Sequence, residues 1–256
     1  MKFIFKGYTL FILLVILTIV SLFIGVSQLS LIDIFHLSDE QMNILYSSRI
    51  PRTVSILLSG SSLALSGLIM QQMMQNKFVS PTTAGTMEWA KLGILLSLLF
   101  FPNGHILIKL LFAVVLSIVG TFLFVQLINL IRAKDVIFVP LLGIMIGGIL
   151  SSFTTFVALR TNALQSIGNW LTGNFAVITS GRFEVLYLTI PLLILAFVFA
   201  NHFTIAGMGK DFSHNLGVSY EKIIKIALFI TATLTALVVV TVGTLPFLGL
   251  IVPNII

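Results

Sequence analysis

Apolar runs of about 20 residues recur along this chain, separated by short polar or glycine- and proline-bearing breaks. About 20 apolar residues in a helix cross roughly 30 Å of hydrocarbon, so each run predicts a membrane helix. The predicted spans are 8–28, 53–74, 86–101, 105–131, 136–159, 183–203 and 220–244. A connector over 29–48 holds Asp33, Asp39 and Glu40. Pro102-Asn103-Gly104 breaks the third run from the fourth, and Arg132-Ala133-Lys134-Asp135 ends the fourth. The stretch 160–182, with Gly168, Gly173 and Gly181, reads as irregular, and 204–219 as a polar loop. Pro246, Gly249 and Pro253 mark a turn or broken helix at the end of the sequence.

Within the second span, Ser55, Ser59, Ser62 and Ser66 are spaced so that their hydroxyls share one helix face. Gly60, Ala64 and Gly67 fall on roughly the opposite face. Lipid requires neither, so this helix is expected to pack inside a bundle. Gly143, Gly147 and Ser151 recur every four residues in the fifth span, which is a close-approach pattern.

Composition agrees with the pattern. The 256 residues are 58% hydrophobic and 9% charged, against roughly 25% charged in soluble domains. The chain is an all-α polytopic membrane protein in a lipid bilayer. There are no cysteines, and the four histidines show no ligand-like spacing, so no metal site is expected. The net charge of +6 fits membrane orientation better than nucleic acid. Lys2 and Lys6 before an apolar run resemble a signal peptide, but the run from Tyr8 to Val26 is too long for one. It is read as an uncleaved first helix with a cytoplasmic N-terminus. Lys77, Arg132, Lys134, Lys210 and Lys222 then join Lys2 and Lys6 on the inner side. Arg49, Arg52, Lys109, Arg160 and Arg182 lie outside, an excess of positive charge that suits an acidic partner or an anionic substrate.

Three places carry candidate chemistry. Arg49 and Arg52 stand at the mouth of the second span, either anchoring to headgroups or docking a partner. In the loop Thr204–Lys222, Asp211 is a candidate N-cap, and Asn215 and Gly217 can end a short helix that touches a cytosolic partner. Glu88 and Lys91, three apart, can pair, either as an interfacial ion pair or along a pathway.

Four groups of residues resemble a known family. Arg49-Ile-Pro-Arg52 and Ser59-Gly60-Ser61-Ser62-Leu63-Ala64-Leu65-Ser66-Gly67 form the first. Gln71 or Gln72 with Asn76 and Ser80-Pro81 form the second, and Trp170-Leu171-Thr172-Gly173 the third. The fourth joins Gly209-Lys-Asp-Phe-Ser-His-Asn-Leu-Gly217-Val218 to Gly243-Thr-Leu-Pro-Phe-Leu-Gly-Leu-Ile-Val-Pro253. Together they resemble the FecCD-type permease subunits of ABC importers for iron-siderophores, haem and cobalamin.

The resemblance implies a type II importer: ten helices per permease, two identical or paralogous permeases around one pathway, a cytosolic ATPase dimer and an extracytoplasmic binding protein. Alternating access would carry a ferric-siderophore inward. Arg49 and Arg52 match positions that dock the binding protein. Gly209, Asp211, His214, Leu216 and Gly217 fall in the loop that couples to the ATPase. No Gly-x-x-x-x-Gly-Lys-Ser/Thr loop is present, so the permease is expected to be no enzyme, to bind no cofactor directly, and to leave ATP to its partner. Pro81-Thr-Thr-Ala-Gly-Thr-Met-Glu is similar to a catecholate or petrobactin-like subgroup.

Several positions depart from the family. Lys77 stands where proline is frequent, Asn254 where histidine is usual, and Glu88 and Lys91 where small residues are usual. One permease domain over 1–256 is expected, holding about seven helices and part of an eighth and so shorter than the family at its C-terminus. Two alternatives stay open: a secondary transporter, and a truncated permease fragment that does not transport.

Overall fold

The computed structural model describes residues 7–24, 38–131 and 137–255. Lys2, Lys6, Asp33, Arg132, Lys134 and Asp135 lie outside the described residues. Four of the seven cations assigned to the inner side are therefore among these.

The described residues form helices throughout. α1 spans Gly7–Phe23 and α2 Asp39–Ile44. A π-helical turn, Leu45–Arg49, leads into α3, Ile50–Met73. α4 (Thr86–Phe100), α5 (Ile106–Leu130) and α6 (Phe138–Arg160) follow, then the short α7 (Leu164–Leu171). A 3-10 stretch, Phe183–Leu188, continues as α8 (Thr189–Val198), and α9 covers Ala200–Gly207. α10 (Lys210–Asn215), α11 (Tyr220–Thr241) and α12 (Leu248–Ile255) complete the order.

In all seven predicted apolar segments the described residues are mainly helical. Among the described residues, four helices are long and apolar enough to span a membrane: the Asp39–Met73 unit, α5, α6 and α11. α4, at about 22 Å, is shorter than a bilayer core and is largely buried by its neighbours.

Several boundaries differ from the sequence reading. The connector expected over 29–48 is helical from Asp39, because Ser38 and Gln41 form a capping box. The sixth span is bent by 57° between its two halves. The irregular 160–182 stretch contains α7, and the polar loop contains α10.

Pro51 explains the π-turn. It has no N–H to give the Ser47 carbonyl, and the Ile50 N–H reaches back to Leu45 rather than Tyr46. Both freed carbonyls are taken by one distant residue. Ser180 N–H donates to Ser47 O at 3.0 Å, and its hydroxyl donates to Tyr46 O at 3.1 Å.

α11 is the centre of the molecule. Its second half, Ala236–Val242, packs against Leu63 of α3, Met87, Ala90 and Ile94 of α4, and Ala113 of α5. Its first half packs against Ile69 and Met73 of α3 and Phe203 and Ala206 of α9. A helix apolar on every side belongs in such an interior.

Small residues set the remaining crossings. A methyl at Gly93 would meet the backbone of Phe112 and Ala113, and one at Gly120 would enter the Trp89 ring. The Thr86 and Thr121 hydroxyls bond at 2.9 Å across the same α4–α5 seam. α6 turns Gly143, Gly147, Thr154 and Ala158 inward. Its other face leaves Leu141, Met145, Ile149 and Phe156 exposed.

Candidate functional site

The residues singled out from sequence occupy two ends of the bundle. At the end where α3 begins, Arg49 and Arg52 cap α1. A helix leaves its last four carbonyls without partners. Arg49 Nη1 donates to Leu22 O at 2.8 Å and Phe23 O at 2.7 Å. Arg52 Nη2 donates to Ser21 O and Ile24 O, each at 2.9 Å. All four carbonyls at the end of α1 are thus met by cations, which the helix dipole also favours there. Arg49 is only 4% exposed, contrary to the expectation that both arginines face water. Each polar group left unpaired in an apolar setting costs several kcal/mol, which accounts for its burial.

The same end holds a cluster that the sequence reading did not assemble. The Arg182 guanidinium carbon lies 3.9 Å from the centre of the Trp170 ring, and Lys109 Nζ lies 5.3 Å from it. Lys109 Nζ donates to Gly104 O at 2.8 Å. Burial pushes the Arg182 guanidinium below its ordinary value. One signal was available: Lys109 is the lone charge in the apolar run 105–131. That Arg182 meets it across Trp170 is a tertiary fact with no local signature.

Trp170 lies in the last turn of α7, beside a junction of broken helices. The Thr244 N–H and hydroxyl both donate to Leu171 O, at 3.1 and 3.0 Å. A methyl on Gly173 would fall 2.3 Å from Thr244 O. The Trp170–Gly173 motif is therefore the seam between α7 and the turn after α11.

On α3, Ser59, Ser62 and Ser66 are fully buried with Ser55, as the shared face predicts. Ser59 and Ser62 bond to carbonyls one turn back. Ser55 Oγ and Ser66 Oγ are buried without a partner among the described residues. The two glycines of α3 differ. A methyl on Gly67 would overlap the Gly249 carbonyl of α12 at 1.7 Å, whereas one on Gly60 would meet nothing within 4 Å. Gly60 is not a packing residue here. Gly143 is one, since its methyl would fall 1.9 Å from Thr83 O.

Toward the opposite end, Lys91 Nζ donates to Glu88 Oε1 at 2.6 Å. Glu88 Oε2 is buried and unpartnered among the described residues, and its side chain lies against Gly147. This brings together Glu88, Lys91 and Gly147 on the α4–α6 crossing. Beyond it, an open cavity of about 710 Å³ is lined by Gln71, Gln75, Lys77, Gly207 and Asn254, among others. Gln75 Nε2 donates to Gly207 O at 3.0 Å, tying the end of α3 to the start of the α10 loop.

α10 is set by its ends. Gly209, not Asp211, occupies the N-cap; Asp211 is exposed in the first turn. The Val218 N–H donates to Ser213 O at 2.9 Å and the Gly217 N–H to His214 O at 3.0 Å. This pair of bonds is a Schellman motif, and Gly217 supplies its left-handed residue at φ 72°. Buried Ser213 fastens the helix inward through Ile205 O and Gly209 O. Met208, Phe212 and Leu216, four apart, are exposed, and His214 is exposed beside them. Among the described residues no group of three or more His, Cys, Asp and Glu side chains could hold a metal ion.

Comparison with known proteins defines the class. A solved structure described as an inward-facing conformation of a metal-chelate type ABC transporter superposes with a TM-score of 0.77. It covers 97% of this chain and 79% of its own at 24% identity, which speaks to the fold alone. The fold is that of an ABC transporter membrane subunit. Residues 13–256 match the FecCD transport family, and the chain belongs to that family. The petrobactin import system permease protein YclN of Bacillus subtilis is 52% identical over 247 residues, 96% of this chain and 78% of that one. FatD of Bacillus anthracis, also a petrobactin import permease, is 38% identical, covering 96% and 72%. The ferric-anguibactin permease FatD of Vibrio anguillarum is 36% identical, covering 92% and 75%.

Proposed function

We propose that this chain is the membrane permease of an ATP-driven importer that moves a ferric siderophore or related iron chelate across the cytoplasmic membrane by alternating access. The observation that carries this reading is the family match from residue 13 to 256. Petrobactin-like chelates are the favoured cargo, because the relatives described above carry petrobactin and anguibactin. The iron is cargo, and the permease performs no covalent chemistry.

Three surfaces support the partners. The exposed apolar edge Met208–Phe212–Leu216 suits a groove on a cytosolic ATPase, with the Lys210–Glu221 pair at 3.2 Å beside it. The apolar outer face of α6 suits a second permease. Arg52, less buried than Arg49, meets acidic side chains of a binding protein, while Arg49 holds the α1 end in place. The N-terminus is then cytoplasmic.

The test is reconstitution of the full complex in proteoliposomes with labelled ferric petrobactin. ATP-dependent uptake is expected, lost by tenfold or more with Arg52→Glu while membrane insertion is unchanged. Uptake indifferent to ATP, or purification without any ATPase subunit, would count against an importer and for a secondary carrier.

A further inference from the structure

We infer that Lys109, Trp170 and Arg182 form a recognition site for a compact oxyanion, the carboxylate or catecholate edge of an iron chelate, at the end of the bundle where α3 begins. That the oxyanion belongs to an iron chelate rests on the import reading; that the site takes an oxyanion does not.

The first ground is charge. Two cations converge on one indole ring, yet among the described residues neither has a carboxylate within ion-pair distance. The acidic residue nearest in sequence is Glu184, and it accepts the Gly181 N–H at 2.7 Å instead. Like charges held close in a partly apolar setting repel, and an anion between them removes both penalties.

The second ground is an open hydrogen-bonding requirement. Arg182 Nε is buried and has no partner among the described residues. Lys109 Nζ gives one of its three N–H groups to Gly104 O, and no second protein acceptor is present among the described residues. Lys109 is 7% exposed, so of possible partners a compact oxyanion fits this site better than a macromolecular surface.

The third ground is location. Trp170 sits where α7 and the turn after α11 meet through Leu171 and Thr244. Irregular backbone among membrane helices is tolerated where it is buried or lines a cavity, and transporter ligand sites form at such broken helices. The Trp170 ring holds both cations in place, so that their remaining N–H groups are presented together.

The experiment uses the full chain in nanodiscs of zwitterionic lipid. Binding of radiolabelled iron(III)–citrate, an anionic chelate, is compared with iron(III)–acetohydroxamate, a neutral one. The anionic chelate should bind saturably and the neutral one at least tenfold more weakly. Arg182→Gln and Lys109→Met should each weaken citrate binding about tenfold. Arg182→Lys, which keeps the charge, should stay within about threefold and so guards against a folding defect. Equal binding of the two chelates, or citrate binding indifferent to Arg182→Gln, overturns the site. Displacement of the citrate chelate by soluble glycerol phosphate but not by free citrate at equal concentration assigns the site to lipid phosphate and also overturns it. Charge-dependent citrate binding in a protein whose complex shows no ATP-driven uptake leaves the site standing and removes the import reading. Uptake with no such binding does the reverse.

Discussion

Glu88 and Lys91 meet at 2.6 Å with each side chain about one-fifth exposed. Their pairing was legible from three-residue spacing in a helix, but their surroundings were not. Glu88 Oε2 is buried without a donor among the described residues, and the Glu88 Cγ lies beside Gly147 of α6. Removing one partner leaves the other charge in a half-apolar crossing, at a cost of about 2 kcal/mol. Glu88→Gln and Lys91→Met singly should therefore lower the unfolding temperature in detergent more than the double change does. Equal or additive losses in the double variant would show that the two side chains do not compensate each other. Arg49 and Arg52 show the same limit of sequence reading. Their position at a helix mouth was plain, but the end of α1, which supplies their carbonyls, lies more than 20 residues away and leaves no local trace.

Helices were the easiest part to read, since length and apolarity alone mark them, and glycine patterns were harder. Gly60 and Gly67 look alike in sequence, both small residues on one apolar helix. Only Gly67 crosses another backbone, that of α12 at Gly249. Gly67→Ala should lower the unfolding temperature by about 2 °C or more, since an overpacked methyl costs about 1–3 kcal/mol. Gly60→Ala should leave it unchanged or raise it slightly, because alanine is the better helix former by about 1 kcal/mol. A matching loss at Gly60 would mean that its open side is covered in the assembled protein. The bend in the sixth span was also hidden. Its halves, Thr189–Val198 and Ala200–Gly207, read as one apolar run with no proline or glycine at the break between Val198 and Ala200.

Across the molecule, the cap of α10 and the tie from Gln75 to Gly207 connect the proposed ATPase face to the end of α3. Nothing crowds Gly217, so bulk is tolerated there; its φ of 72° is the constraint. A β-branched residue resists that conformation at a cost of about 1–2 kcal/mol. Gly217→Val should leave the subunit's thermal stability within a few degrees, yet reduce ligand-stimulated ATP hydrolysis by the reconstituted complex several-fold. Unchanged stimulation would remove α10 from the coupling route. The loop's location was legible from its polar composition and its three glycines. The edge formed by Met208, Phe212 and Leu216 was not, because exposure depends on which face Ser213 pins inward.

The two carbonyls released by Pro51 have a consequence in time. Ser180, which satisfies both, follows Ser47 by roughly 130 residues, which at about 5–20 residues per second means about 7–27 seconds of synthesis. During that interval the Tyr46 and Ser47 carbonyls lack Ser180 and need another donor, such as water. The Arg49 and Arg52 clasp on α1 needs no such delay, since both partners emerge within the first 52 residues. Loss of the Ser180 hydroxyl is accordingly a fault felt late in assembly, after the Arg49 and Arg52 clasp can already form.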